Sequence, residues 1–151
     1  MEFMNLCYLI RDGKVLLIKK KRGLAAGKIN APGGRFEKGE TPEGATKREV
    51  KEEIRVNINS LEFRGILEFV NNEKLHGLCH VFVSEDFEGE PQETEEATPM
   101  WVPMDELPWA KMWDDDRSWL PHVLEGNVVI GRFGFRDWKT KESKVWVAAP
   151  K

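Results

Sequence analysis

The stretch GRFEKGETPEGATKREVKEEIRV, Gly34–Val56, decides how the rest of this chain is read. Its second half carries the marks of a helix start. Thr41 can accept a hydrogen bond from a backbone N–H at the N-cap, and Pro42 fits the first helical position, where no N–H is needed. At about 100° per residue, Glu49, Glu52 and Glu53 fall within an arc of about 100°. Val50 and Ile54 share the adjacent arc, and Lys47, Lys51 and Arg55 take the far side. Three carboxylates therefore line one edge of the buried face, although like charges at these spacings oppose a helix by roughly 0.2–0.5 kcal/mol per pair. A solvated face bears that cost. A hard-cation site turns the crowding into binding, because Mg²⁺ takes oxygen ligands.

The preceding loop bears on that choice. Gly33-Gly34 can bring backbone close to a ligand, Glu40 adds a fourth carboxylate, and Arg48 offers a rigid donor fork that can orient a glutamate. With Gly34, Glu40, Arg48, Glu49, Val50, Glu52, Glu53 and Val56 in register, the segment resembles the Nudix box. That pattern runs G, five residues, E, seven residues, then REUxEExGU, with U a bulky aliphatic residue. Arg55 stands where the pattern has Gly. A non-glycine residue forced to positive φ there costs on the order of 1 kcal/mol. The alternative is that the helix ends differently, with Asn57 in the turn, so a changed helix exit is expected, with the metal site retained.

The resemblance implies an α+β fold, the Nudix α/β/α sandwich with a mixed β-sheet, and hydrolysis of a nucleoside diphosphate linked to another group. It also implies divalent cations, Mg²⁺ with Mn²⁺ as the alternative, held by Glu49, Glu52, Glu53 and the backbone carbonyl of Gly33 or Gly34. Glu52 or Glu53 is the candidate to take a proton from water, with Arg48 orienting. Glu96 resembles a loop glutamate that completes the metal site in related enzymes, with Glu95 as its rival. Lys20, in the basic run IKKKRG, is a candidate for the triphosphate tail, although lysines along a strand also protect a sheet edge.

Composition sets outer bounds. With 151 residues and a net charge of −3, the chain is expected to form one domain over residues 1–151 and not to coat a nucleic acid polymer, which calls for a basic surface. It has no long apolar run, and its N-terminus lacks the basic start of a signal peptide, so a cytoplasmic protein without membrane association is expected. Cys7, Cys79, His76, His80 and His122 make no zinc pattern. A monomer is expected, with a dimer as the alternative. The remaining pattern suggests a hairpin turning at Asp12-Gly13, strands at Leu61–Val70, Gly77–Ser84 and Thr98–Pro103, an acidic loop at Glu85–Glu96, a short helix that Pro121 can begin, and a final hairpin.

The segment MWDDDRSW, Met112–Trp119, sets three carboxylates between two tryptophans. One aspartate suffices to cap a helix, so the bulk of indole beside them suggests an aromatic-walled cavity. Together with KKRGLAAGKINAPGG, HVFV and GRFGF, this segment resembles the MutT-homologue branch of the Nudix family, which hydrolyses oxidised purine nucleoside triphosphates such as 8-oxo-dGTP and 2-hydroxy-dATP. By that resemblance Asn30 contacts the base, Trp113 stacks on it, and Asp115 with Asp116 reads its edge. Two adjacent carboxyls in an apolar pocket cannot both ionise easily, so the pair offers a donor as well as acceptors. Leu24 stands where the compared enzymes can carry an aromatic pocket residue, and Asp114 replaces a proline; the rival readings are another nucleotide, unmodified or methylated, a nucleotide sugar, and a silent nucleotide-binding module, which only Arg55 encourages. Trp101, Trp119, Trp138 and Trp146 read as core or partly buried surface, and Trp109 as either.

Overall fold

A computed structural model describes residues 1–23 and 25–150; the candidate pocket residue Leu24 lies outside the described residues. Strands β1 (Glu2–Arg11) and β2 (Lys14–Lys20) form the expected hairpin, with Asp12 and Gly13 at φ 53° and 74° as a tight primed turn requires. They then diverge. β1 pairs antiparallel with β4 (Gly33–Arg35) on one side and parallel with β6 (Lys74–Glu88) on the other. β2 leaves to pair with β3 (Ile29–Asn30) and β7 (Ala97–Pro103).

β5 (Asn57–Asn71) and β6 make one long hairpin, and β5 continues the sheet through a parallel pairing with β8 (Val128–Arg136), which turns back into the edge strand β9 (Lys139–Ala148). Two parallel pairings among antiparallel ones make the sheet mixed, as the family resemblance implied. The acidic stretch is not all loop. β6 runs to Glu88, and Asp86 accepts from the side chains of Asn59 at 3.0 Å and Ser60 at 3.1 Å, which ties its charge into the strand pair.

Helix α1 (Pro42–Ile54) covers one face of the sheet and α2 (Asp116–Leu124) the other. The period of two along β1 and β2 divides the core between them. Cys7, Leu9, Leu16 and Ile18 join Val50 and Ile54 of α1, while Tyr8, Val15 and Leu17 join Trp119, Leu120 and Val123 of α2.

Three expectations change. Pro121 does not begin α2 but sits inside it; in a helix this short its missing N–H removes one bond, and the burial of Trp119, Leu120 and Val123 offsets that. The exit of α1 is unaltered, since Arg55 itself adopts the left-handed conformation, φ 63° and ψ 28°, and donates its N–H to Lys51 O. Trp138 and Trp146 are exposed, at 59% and 53%, because the last turn and the edge strand have nothing packed beyond them. Trp119 is core.

Candidate active site

Thr41 Oγ1 accepts from Gly44 N–H at 3.1 Å, and the helix started there carries Arg48, Glu49, Glu52 and Glu53 towards the β4 strand. Arg48 is the hub. Its Nε and Nη2 donate to both oxygens of Glu40 at 2.8 Å each, its Nη1 reaches Glu49 at 2.9 Å and Glu52 at 3.2 Å, and Nη2 also meets the carbonyl of Arg35 at 3.1 Å. One guanidinium thus ties the loop to the helix and fixes two carboxylates through a planar fork. The bond from Arg48 and the Glu37 N–H hold Glu40 down at about 2.

Glu53 is buried beneath them. Its Oε1 accepts from Gly33 N–H at 2.7 Å, and its Oε2 lies 3.5 Å from Lys20 Nζ, which also donates to the Gly33 carbonyl at 3.5 Å. Gly33 and Gly34 allow this approach. A Cβ on Gly33 would stand 2.0 Å from Asn5 O, and one on Gly34 would stand 2.6 Å from Glu49 Cδ. Asn5, buried on β1, holds the strand in place by accepting Gly34 N–H at 3.3 Å. On the other side Glu96, with Lys20 and Glu53, lines a small cleft, whereas Glu95 is drawn outward to Arg22 at 2.7 Å. Thr94 anchors this loop by donating to Glu53 O at 2.6 Å.

Among the described residues no three of the His, Cys, Asp and Glu side chains converge as a ready-made ion cage. The protein's own cations account for this: Arg48 draws Glu49 and Glu52, and Lys20 sits against Glu53. The donor set nonetheless fits a hard dication. Burial, followed by the charges of Glu49 and Glu96, pushes Glu53 up to about 7, although Lys20 and Gly33 oppose it, and burial likewise raises Glu49. Buried carboxylate oxygens beside glycines where a Cβ would collide are a donor set of the kind a hard dication takes.

The residues expected to hold a base begin at the other end of the Asn30–Gly34 segment. The backbone of Asn30 is registered against Ile18 of β2, and its Oδ1 accepts from Ala31 N–H at 2.8 Å. Asp116 is 5% exposed and accepts from Trp113 N–H at 3.2 Å. Asp115 stands at the start of α2 without capping it, since its backbone is already helical and its side chain makes no cap bond. Burial first, then the charges of Asp115 and Asp114, lifts Asp116 to about 7 against the pull of the Trp113 N–H and Lys28. Asp115 is raised for similar reasons. Trp113, 45% exposed, offers a ring face with Lys28 Nζ 5.1 Å from its centroid.

The sequence reading missed Asn5, Lys28 and the buried Tyr8, whose hydroxyl reaches Asn30. Only Tyr8 left a signal, as the residue of alternate parity on β1 facing the α2 layer.

A sandwich of this topology with a glutamate helix facing a glycine strand defines a class, and comparison agrees. The NUDIX domain family matches residues 5–123, and the chain belongs to the Nudix family. Within it, the chain is 37% identical over 137 residues to the oxidized purine nucleoside triphosphate hydrolase of Danio rerio, covering 89% of this chain and 87% of that protein. It is also 37% identical over 138 residues to the enzyme of the same name from Mus musculus, covering 90% and 88%. Among solved structures, a MutT protein from Bacillus halodurans superposes with a TM-score of 0.84 at 26% identity, over 96% of this chain and 97% of that one.

Proposed function

We propose that this Nudix hydrolase converts purine nucleoside triphosphates oxidised in the base, such as 8-oxo-dGTP or 2-hydroxy-dATP, to the monophosphate and pyrophosphate. The observation that carries this reading is the pairing of two sites through one short segment. Gly33 meets the Glu53 carboxylate, and Asn30, three residues earlier, meets the hydroxyl of Tyr8, which in turn feels the charge of the buried Asp116. A molecule that fills both has an anionic tail and a flat polar ring. The named activity of the Danio rerio and Mus musculus relatives supports the same substrate class.

Divalent cations are general in the family; here we propose Mg²⁺, with Mn²⁺ as the alternative, on Glu49, Glu52, Glu53, Glu96 and a carbonyl of Gly33 or Gly34. When bound, such an ion neutralises phosphate oxygens and acidifies an attacking water. The remaining work falls to the chain. Glu53, with Glu52 as the alternative, takes the proton as water oxygen bonds to phosphorus and the bridging anhydride bond breaks. Arg48 holds Glu49 and Glu52 in place, and Lys20 is positioned to exchange its contact with Glu53 for a phosphate. Asn30 and the Asp115–Asp116 pair present donors and acceptors to the purine edge, while Trp113 stacks on its face. The setting we propose is a cytoplasmic, monomeric single domain. Among the described residues no helix is long and apolar enough to cross a membrane, and both cysteines are free and buried.

The test is a panel of normal, oxidised and methylated purine triphosphates and a nucleotide sugar with Mg²⁺, with products resolved. Oxidised purines should give monophosphate and pyrophosphate with the highest kcat/KM. Faster turnover of a sugar conjugate would overturn the substrate, and no turnover of any would overturn the enzyme.

A further inference from the structure

We propose that Tyr8 is a positioning residue of the base pocket: its hydroxyl holds the Asn30 amide with Nδ2 turned to the base, and so helps set purine discrimination. This rests on the base-reading role given to Asn30 above.

Tyr8 lies in the middle of β1 and is fully buried on the α2 side, with its ring edge-on to Trp119 at 6.0 Å between centroids. If it only filled the core, phenylalanine would serve as well, since a buried hydroxyl is unfavourable without a partner. The partner is Asn30, whose Oδ1 accepts from Tyr8 Oη at 3.5 Å and from Ala31 N–H at 2.8 Å. The Ala31 N–H can only donate, so the atom it meets must be the carbonyl oxygen, and the Tyr8 hydroxyl, which faces that same oxygen, is thereby the donor. Among the described residues Asn30 Nδ2 meets no acceptor, which leaves its two hydrogens for a ligand.

The Ala31 bond joins adjacent residues and orients the amide only against its own backbone. The Tyr8 bond joins residues 22 apart and ties the amide to the central sheet, so it fixes where the donors stand relative to the rest of the pocket. Burial, reinforced by the charge of Asp116, keeps the phenol well above its ordinary range, and the hydroxyl therefore remains a donor at any working pH. The floor of the pocket then has a defined polarity. Asn30 can only give hydrogen bonds to the base, and acceptance is left to the Asp115–Asp116 pair.

Tyr8→Phe, Asn30→Ala and the double variant of the full chain test this. The side-chain amide NMR signal of Asn30, assigned by its loss in Asn30→Ala, is expected to shift in Tyr8→Phe; an unmoved signal overturns the proposal. The preference in kcat/KM for 8-oxo-dGTP over dGTP is expected to fall roughly fivefold. The loss should lie in KM, and Tyr8→Phe should add nothing once Asn30 is alanine. Equal loss on both nucleotides, or an additive double variant, overturns it. If the wild-type chain turns over no purine triphosphate, the functional reading fails, and the amide signal still decides the role of Tyr8.

Discussion

The two ends of the site are built in opposite ways. The glutamate end draws most of its carboxylates from one stretch, Gly33 to Glu53, tied together by the single hub Arg48, with Lys20 and Glu96 added from outside it. The purine end gathers Tyr8, Asn30, Trp113 and Asp116 from three separate parts of the chain. This construction tolerates little change, because the one Arg48 fork fixes Glu40, Glu49 and Glu52 together. Dispersed construction lets one group change while the others stay, so the base end is where related chains can diverge in substrate.

The comparison can be broken at its rigid end first. Glu53→Gln is expected to lower kcat by about 10²–10⁴-fold, alike on every purine, and to weaken Mg²⁺ binding in a calorimetric titration. A loss confined to one base would show that the two ends are not separable. At the dispersed end, Asp116→Asn should leave Mg²⁺ affinity in place and reduce the preference for 8-oxo-dGTP over dGTP by roughly 10–100-fold.

That variant also carries a pH signature. Asp116 titrates at about 7 in the fold against an ordinary 3.8, so between those values only the native state keeps the proton. The stability this proton contributes is complete below about 4 and is lost as pH rises through about 7. Thermal unfolding of wild type and Asp116→Asn should therefore diverge in favour of the variant as pH is raised from 4 to 7; parallel curves would contradict the burial argument. The smallest expected effect is Arg55→Gly. It relieves a left-handed arginine, should stabilise the chain by about 1 kcal/mol and leave turnover unchanged. Destabilisation would mean that Arg55 has partners beyond its backbone bond to Lys51.

The same contrast explains what could be read from the sequence. The α1 helix, its Thr41 cap and the Asp12-Gly13 turn depend on neighbours a few residues away, and each appears as expected. Pairing between distant strands leaves no local mark. The parallel match of β1 to β6 was therefore not legible, and neither was the descent of Tyr8 to the floor of the pocket. Pro121 and Arg55 were misread for a related reason. Intrinsic backbone preference alone speaks against both positions, and the burial around α2 and the Arg55 N–H bond to Lys51 O at the α1 exit override preferences of this size. The resemblance already set Asp114 apart from the Asp115–Asp116 pair, and three dimensions add that Asp116 turns inward to the Trp113 N–H while Asp114 stays exposed and acts on it through its field.

β1 has one more consequence. Asn5 faces the glycine strand and Tyr8 faces the purine floor, so a slip of one residue against β6 would turn each to the wrong side. Neither half of the site can form until that distant strand pair has found its register. During refolding, recovery of activity should then lag behind recovery of helical signal, and the enzyme would serve as its own assay for the last and longest-range step of assembly.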